Sequence, residues 1–334
     1  MKKLRWGILG CAQIAVNDII PAIRQSELGA VAAIASRDES KAGRTAESLG
    51  IPQAYGSYEA LLADDSIDAV YIPLPNHMHH EWTIRAAEAG KHILCEKPLS
   101  LNVREAEQMV DACGKHGVKL AEAFMYRYHP RYDRILEIIR SGEIGELRGL
   151  QGTFTFNIGP ASDNIRLKAD MGGGALYDVG CYLISAGRLL LGREPKAATV
   201  RSLVSPDYGD VDLMTAGLLE FGDGLNMTFQ CGMRAEFRDT VEIIGTDGRI
   251  DIPAAFLPWP GLTANYSVTV KGERREEQAE ALNTYRLQVD RFARSILNAE
   301  PLAFDPTDAV ANMKVIGACL QSAKEEARVE LPQG

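Results

Sequence analysis

Lys97 is the residue of this 334-residue chain best placed by its neighbours to act on an oxygen atom. It ends a short apolar segment, His92–Glu96, that predicts a buried strand, and Pro98 restricts the backbone after it. A lysine held at the carboxyl end of a strand can place a cation where an alkoxide forms. From spacing alone, Lys97 also fits an exposed loop lysine without a chemical role.

Asp178 and Tyr182 form the second group with suitable chemistry. They follow the glycine run Gly172–Gly174 and stand four residues apart in a predicted helix, Ala175–Leu191. This spacing places both side chains on one helix face. A tyrosine near a lysine can act as a general acid or base, because the ammonium group favours the phenolate. The alternative is that Tyr182 packs in the core and Asp178 supports the first turn of the helix.

The turn after the first predicted strand is typical of a dinucleotide site. Gly10, Ala12 and Ala15 occupy the positions of a G-x-G-x-x-G/A pattern, with alanine in place of the middle glycine. Small residues here let a pyrophosphate approach the helix N-terminus. They also occur where a helix simply packs on a sheet.

The second predicted strand ends at Ser36-Arg37, where an NAD site usually carries an acidic residue. A hydroxyl followed by a guanidinium suits the 2′-phosphate of NADP, because arginine can bind a phosphate through two hydrogen bonds. These two residues therefore predict NADP rather than NAD. The alternative is that Ser36 caps a helix starting near Asp38 and that Arg37 is a solvated surface charge.

The loop Ile72–His80 follows a later predicted strand and contains three histidines within four positions. Metal sites need ligands at matching spacing, and no aspartate, glutamate or cysteine stands at such a spacing nearby. We therefore expect loop or helix-cap histidines and no metal.

Two patterns of elements must position these residues. Up to residue 123, short apolar runs alternate with amphipathic stretches, which predicts a doubly wound parallel sheet in a dinucleotide-binding Rossmann domain, 1–123. From 124 to 334, strands separated by tight turns predict an α+β domain with an open, largely antiparallel sheet. The last two helices, near 285–299 and 305–327, could pack back on the first domain.

Composition and charge exclude several classes of partner. The chain has 36 basic and 45 acidic residues, a net charge of -9, which argues against nucleic acid or an anionic membrane. Six cysteines without C-x-x-C spacing predict reduced, buried thiols. The longest uncharged run, Ile252–Val270, contains Pro253, Pro258 and Pro260, which a spanning helix would not tolerate. We expect a cytoplasmic protein.

Five ordered motifs resemble the glucose-fructose oxidoreductase, inositol dehydrogenase and rhizopine-catabolism (Gfo/Idh/MocA) family of NAD(P)-dependent oxidoreductases. They are the turn 7–15, Pro75-Asn76-x-x-His79, Glu96-Lys97-Pro98, Tyr126-Arg127-Tyr128-His129-Pro130, and Gly172-Gly173-Gly174-x-x-x-Asp178-x-Gly180. The resemblance implies a Rossmann domain and a C-terminal domain whose open sheet mediates association into a homo-oligomer, a dimer or tetramer. A sheet covered by helices on one side only is expected to leave a large apolar face.

The resemblance also implies roles for individual residues. Lys97 matches the catalytic lysine and Asp178 the substrate-facing aspartate. Cofactor contacts are expected at Gly10, Ala12, Gln13, Ile14, Ser36, Arg37, Leu74, Asn76, His79, Glu96 and Lys97. Substrate contacts are expected at Lys97, Arg127, Asp178 and Tyr182.

Tyr182 stands where many members of the family have a histidine. It resembles the branch with glucose-fructose oxidoreductases, dihydrodiol dehydrogenases, NADP-dependent xylose dehydrogenases and a nucleotide-ketosugar 3-reductase. In that branch the tyrosine is the expected proton donor or acceptor, and its presence argues against an inositol dehydrogenase.

Three hypotheses about function follow. The first is an NADP-dependent enzyme that moves a hydride to or from a carbon of a sugar or cyclic polyol. The second is a reductase of a nucleotide-linked 3-ketosugar, which needs an added groove for the diphosphonucleoside. The third, from another class, is a catalytically silent NADP-binding sensor or scaffold. Lys97, Asp178 and Tyr182 together disfavour the third, since a sensor needs no proton-transfer group.

Overall fold

The computed structural model describes residues 2–159, 164–257 and 263–332. They form two compact units, one of residues up to 125 together with 283–310, the other of residues 126–282 together with those from 311 on. Pro258 and Pro260, two of the prolines in the uncharged run, lie outside the described residues.

The first unit is built on a parallel sheet of six strands. These are β1 (Leu4–Leu9), β2 (Gly29–Ala35), β3 (Gln53–Tyr55), β4 (Ala69–Ile72), β5 (His92–Cys95) and β6 (Leu120–Glu122). Their order is β3-β2-β1-β4-β5-β6, with every neighbouring pair parallel. The order reverses between β1 and β4, where doubly wound sheets bind ligands beyond the carboxyl ends of their strands. The predicted Rossmann sheet is therefore confirmed.

The α-helices of the two units lie between and after the strands along the chain. They are α1 (Ile20–Gln25), α2 (Glu39–Leu49), α3 (Tyr58–Leu62), α4 (His79–Glu88), α5 (Val103–His116), α6 (Pro130–Arg140), α7 (Cys181–Leu191), α8 (Thr284–Leu297) and α9 (Pro306–Glu325). The first five and α8 belong to the first unit.

One core holds the first unit together. Trp6 and Ile8 of β1 are fully buried in it, as strands covered on both faces require. Phe292 and Val289 of α8 belong to the same core, and the rings of Trp6 and Phe292 have centroids 5.5 Å apart. The helix α8, distant in sequence, thus contributes apolar side chains directly to the core of the Rossmann sheet.

The second unit is built on a mixed, mostly antiparallel sheet of nine strands. These are β7 (Leu147–Asn157), β8 (Ala197–Ser205), β9 (Val211–Gly222), β10 (Leu225–Gly232), β11 (Arg234–Gly245), β12 (Gly248–Pro253), β13 (Tyr266–Val270), β14 (Glu273–Glu277) and β15 (Val329–Glu330). Their order is β14-β13-β12-β11-β7-β10-β9-β8-β15. Only β7 and β10 pair in parallel among the described strands of this sheet. The predicted fold class is confirmed.

The helix α7 covers one face of this sheet. A Cβ on Gly152 of β7 would lie 2.6 Å from Leu183 of α7, and a Cβ on Gly187 of α7 would overlap Met227 of β10. Glycine at both positions therefore allows the helix to approach the strands closely.

The opposite face is open. Alternation along β7 and β10 places Gln151, Thr153, Thr228 and Gln230 there. Leu203 of β8, 61% exposed, adds an apolar side chain near one edge. The central strands β7 and β10 carry polar residues at their outward positions, so polar and apolar side chains share this face.

None of the helices in the described ranges has both the length and the apolar character needed to cross a bilayer.

Candidate functional site

The candidate cofactor residues of the first unit lie on loops that follow β1, β2, β4 and β5. Because these strands are parallel neighbours, their carboxyl ends meet at one edge of the sheet. Hydrogen bonds and side-chain contacts within the unit connect these loops to one another.

Gly10 lies in the turn after β1 with a φ of 117°. This conformation is rare for residues with a side chain, and a Cβ here would lie 3.1 Å from Leu74 in the loop after β4. The Gly10 amide donates to the Ala35 carbonyl at the end of β2, 2.8 Å away. Gly10 thus brings three strand ends together at the turn after β1.

The residues after Gly10 lead into the first helical segment. Ala12 and Ile14 are half-buried and Gln13 is exposed. They precede a π-helical turn, Ala15–Ile19, which continues into α1. The backbone amides at a helix start favour an anion, which is consistent with a pyrophosphate site at this turn.

Arg37 is exposed at the end of β2, beside Tyr58 of α3. Burial raises the pKa of the Tyr58 phenol, and the charge of the nearby Arg37 guanidinium opposes this shift. The hydroxyl of Tyr58 lies 3.9 Å from the position of a Cβ on Gly10. A cation therefore lies close to the turn, as a 2′-phosphate site requires.

Asp38, and not Ser36, is the cap of α2. Its carboxylate accepts from the Lys41 amide at 3.0 Å. Ser36 is buried, and its Oγ accepts from the Asp38 amide at 3.2 Å. The alternative in which Ser36 caps this helix therefore does not hold.

His79 is fully buried and joins two loops. Its Nε2 lies 2.8 Å from the Leu74 carbonyl oxygen, and its Nδ1 lies 3.0 Å from the Pro98 carbonyl oxygen. Burial lowers the pKa of His79, opposed by these carbonyls. Since both ring nitrogens face backbone carbonyls, His79 fixes the loop that carries Lys97 against the loop that carries Asn76.

Glu96 positions Lys97 from the other side. Its Oε1 accepts from the Tyr71 hydroxyl at 2.5 Å, and its Oε2 accepts from the Lys97 amide at 3.3 Å. The Leu99 amide donates to Glu122 at 2.8 Å. The backbone on both sides of Lys97 is therefore held by buried or half-buried polar groups.

In the second unit, Asp178 lies in a π-helical turn, Leu176–Gly180, that continues into α7. The sequence predicted an ordinary helix from Ala175. Glycine at position 180 lets the turn pack closely on β10, because a Cβ there would lie 3.0 Å from the Cys231 sulfur. Such turns often occur at functional sites.

Tyr182 follows one turn later in a group of aromatic rings. Its centroid lies 5.4 Å from Phe256, 5.5 Å from Phe154 and 6.0 Å from Tyr126. Tyr182 is 6% exposed. The rings fix the phenol and separate it from most of the solvent.

Arg166 is a site residue that the sequence analysis did not single out. Its Nε donates to Asp178 Oδ2 at 2.7 Å. The Gly173 and Gly174 amides donate to the carbonyls of Lys168 and Arg166, each at 2.9 Å, and a Cβ on Gly173 would lie 2.5 Å from the latter oxygen. The glycine run therefore holds the segment with Arg166 against the turn with Asp178, and it is the one sequence signal that could have indicated this.

Arg127 is tied to α7. Its Nε donates to Ser185 Oγ at 2.9 Å, and the Tyr126 hydroxyl lies 2.5 Å from the same oxygen. Arg127 is buried. These bonds support the helix that carries Tyr182.

In the described parts of the chain, no group of three or more histidine, cysteine, aspartate or glutamate side chains could hold a metal ion. His80 instead lies 2.8 Å from Gln108 of α5.

Two family models match the chain. One, described as the oxidoreductase family with an NAD-binding Rossmann fold, matches residues 4–124, and the GFO/IDH/MocA C-terminal domain matches residues 132–251. The D-xylose 1-dehydrogenase (NADP(+)) 2 of Haloferax volcanii is 42% identical over 328 residues, which cover 98% of this chain and 100% of that protein.

Solved structures show the same likeness. A 3-ketoreductase from Actinomadura kijaniata, in complex with NADP and TDP-benzene, matches with a TM-score of 0.91 at 31% identity, covering 96% of this chain and 98% of that one. An aldose-aldose oxidoreductase from Caulobacter crescentus, complexed with glycerol, matches with a TM-score of 0.91 at 27% identity, covering 99% and 100%.

Proposed function

Because this chain belongs to the GFO/IDH/MocA family of oxidoreductases, we propose that it is an NADP-dependent enzyme that transfers a hydride between the nicotinamide and a carbon of a sugar or cyclic polyol. The observation that carries the proposal is the placement of Asp178 and Tyr182 on successive turns, one paired with Arg166 and the other enclosed by aromatic rings. A binding protein needs no such proton-transfer group.

The residues of the first unit fit NADP. The turn at Gly10 leads into a helix start, which favours a pyrophosphate, and Arg37 places a cation near the same turn. We assign the cofactor to these residues together with Ala12, Gln13, Ile14, Ser36, Leu74, Asn76 and Glu96, with His79 positioning the loops from behind. When bound, NADP supplies or accepts the hydride.

The side chains of this protein must then handle charge and a proton at the substrate oxygen. Lys97 is proposed to hold that oxygen and stabilise negative charge on it. Tyr182 is proposed to accept the proton in oxidation and donate it in reduction. Asp178, oriented by Arg166, is proposed to accept a hydrogen bond from a neighbouring substrate hydroxyl, and Arg127 to contact substrate or support α7.

The proposal is tested by NADP-linked turnover measured across free aldoses, cyclic polyols and nucleotide sugars. Turnover of a free sugar is the expected result. Preference for a nucleotide-linked 3-ketosugar would favour the second candidate, which the likeness to the 3-ketoreductase in complex with TDP-benzene supports. Binding of NADP without turnover of any compound would favour the third hypothesis, a catalytically silent NADP-binding sensor or scaffold.

Replacing Arg37 by alanine is expected to weaken NADP binding by roughly tenfold to a hundredfold, while NAD binding changes little. A charged contact to the 2′-phosphate is worth about 1.5 to 3 kcal/mol, and NAD lacks this phosphate. Fluorescence titration of both cofactors measures the effect. Arg44→Ala on α2, which removes an exposed arginine bonded to Ser40, is the control. Equal losses for NADP and NAD in Arg37→Ala would contradict the assignment.

We further propose a homo-oligomer, a dimer or tetramer, that associates through the open face of the nine-stranded sheet. The face is broad, and exposed Leu203 and Ile244 add apolar area to its threonine and glutamine side chains. Light scattering at micromolar concentration is expected to give a mass at least twice 36.5 kDa. Leu203→Glu is expected to shift that mass towards the monomer, and a monomeric wild type would refute the proposal.

A cytoplasmic location is proposed from the cysteines. All six lie in the described parts of the chain and none of them forms a disulfide, and five of them are buried. Free thiols are the usual state in reducing compartments.

A further inference from the structure

A buried carboxylate, Asp212, lies at the start of the turn that carries Asp178. It belongs to β9 and is 9% exposed. Its Oδ2 accepts from the Leu176 amide at 2.8 Å and from the Thr215 hydroxyl at 2.6 Å.

The turn has no cap of its own. Ala175 occupies the capping position before Leu176–Gly180, and its side chain makes no capping hydrogen bond. Helix starts leave backbone N–H groups without partners, and a carboxylate there is also favoured by the helix dipole. Asp212 supplies from a neighbouring strand the acceptor that the local sequence lacks.

Gly174 makes this approach possible. Its φ is 122°, and a Cβ on it would overlap Oδ1 of Asp212. Thr215, in turn, lies 2.8 Å from Ser202 of β8 through the two hydroxyl oxygens. Since the Thr215 hydroxyl donates to the carboxylate, it accepts from Ser202, and the chain of hydroxyls fixes the carboxylate in place.

Burial raises the pKa of Asp212 to about 6, although Thr215 and the backbone amides oppose the shift. Burying a carboxylate costs free energy, and hydrogen bonds to it offset that cost. Here those hydrogen bonds come from the Leu176 amide and the Thr215 hydroxyl. Asp178 and Tyr182 both follow Leu176 within six residues, so the backbone that Asp212 holds is the backbone that sets their positions.

We infer that Asp212 is a positioning residue for the reaction, acting through the start of the Leu176–Gly180 turn on Asp178 and Tyr182. The inference rests on the proposed function. The glycine run then has two structural roles. The lack of a side chain at Gly173 allows the segment with Arg166 to approach closely, and the lack of one at Gly174 allows Asp212 to do so.

The test is Asp212→Asn, which keeps the shape of the side chain but removes its negative charge at the start of the turn and leaves a single oxygen to accept from the Leu176 amide and the Thr215 hydroxyl. We expect kcat/KM to fall by about 10- to 100-fold, as misplacement of reacting groups does, with NADP affinity unchanged. In a Tyr182→Phe background the same substitution is expected to cost clearly less in kcat/KM than in the wild type, because only the part of the effect that passes through Asp178 remains.

Asn102→Ala is the matched control, since it removes the cap of α5 in the other unit, where Asn102 accepts from Glu105. It is expected to lower the melting temperature without changing kcat/KM. If Asp212→Asn does not fold, Thr215→Val replaces it as the test variant, because it removes the hydroxyl that donates to the carboxylate. Its kcat/KM is then measured in the wild-type and Tyr182→Phe backgrounds.

An equal loss in the wild-type and Tyr182→Phe backgrounds, or no loss in either, would overturn the inference while leaving the proposed function standing. A wild type without NADP-linked turnover of any sugar would refute the proposed function, and the positioning role would fall with it.

Discussion

Replacing Tyr182 by phenylalanine is expected to lower turnover by about 10²- to 10⁴-fold, the usual contribution of a proton-transfer group. The unperturbed pKa of a tyrosine is near 10, so a nearby cation is needed to favour the phenolate at neutral pH. NADP affinity and melting temperature are expected to stay close to those of the wild type, because the ring and its aromatic contacts with Phe154 and Phe256 are retained.

Tyr132→Phe is the matched control for this substitution. Tyr132 is also buried in the second unit, and its hydroxyl donates to the Ala255 carbonyl at 2.6 Å. Losing that bond costs stability of about 1 kcal/mol and is expected to leave turnover nearly unchanged. If Tyr182→Phe turns over a good substrate at the wild-type rate, the proton-transfer role is wrong and Lys97 or a bound water becomes the better candidate.

Replacing Lys97 by methionine is expected to lower turnover by about 10²- to 10³-fold, because the charge that stabilises an alkoxide is removed while most of the side-chain volume is kept. Glu96 and His79 hold the surrounding backbone through groups other than the lysine side chain, so the loop is expected to keep its conformation. Single-turnover measurement of hydride transfer at saturating NADP separates this effect from weaker cofactor binding.

Lys91→Met serves as the control in the same unit. The Lys91 ammonium donates to the carbonyls of Asp64 and Ile67 at 2.7 and 3.0 Å, which gives it a structural role. It is expected to lower the melting temperature and to leave turnover intact. A Lys97→Met variant that behaves like Lys91→Met would remove Lys97 from the mechanism.

Local patterns account for the part of the fold that the sequence predicted. The strand predicted at Leu4–Leu9 has those bounds in the structure, because five of its six residues are buried and the pattern is continuous. Strand β3, Gln53–Tyr55, was missed because it has only three residues and none is fully buried. Strand β14, Glu273–Glu277, was missed because all five residues are charged, which is typical of a loop.

Contacts between distant segments account for what the sequence could not predict. The parallel pairing of β7 with β10 depends on the whole sheet, and turn residues carry no signal for it. Arg166 lies 12 positions before Asp178, and Asp212 lies 36 positions after Leu176. Only the glycine run between them indicated that other segments approach closely there.

The two edges of the nine-stranded sheet carry a consequence for solubility. Exposed edge strands present unpaired backbone groups and invite other chains to add a strand. At one edge stands β14, whose residues are all charged, with Arg275 paired to Glu143 and Glu277. At the other stands β15, only two residues long. A chain adding to β14 would have to lie beside charged side chains, whereas β15 covers only Ala197 and Ala198 of the nine-residue strand β8. The charged edge at β14 is therefore the one that we expect to disfavour aggregation into fibrils.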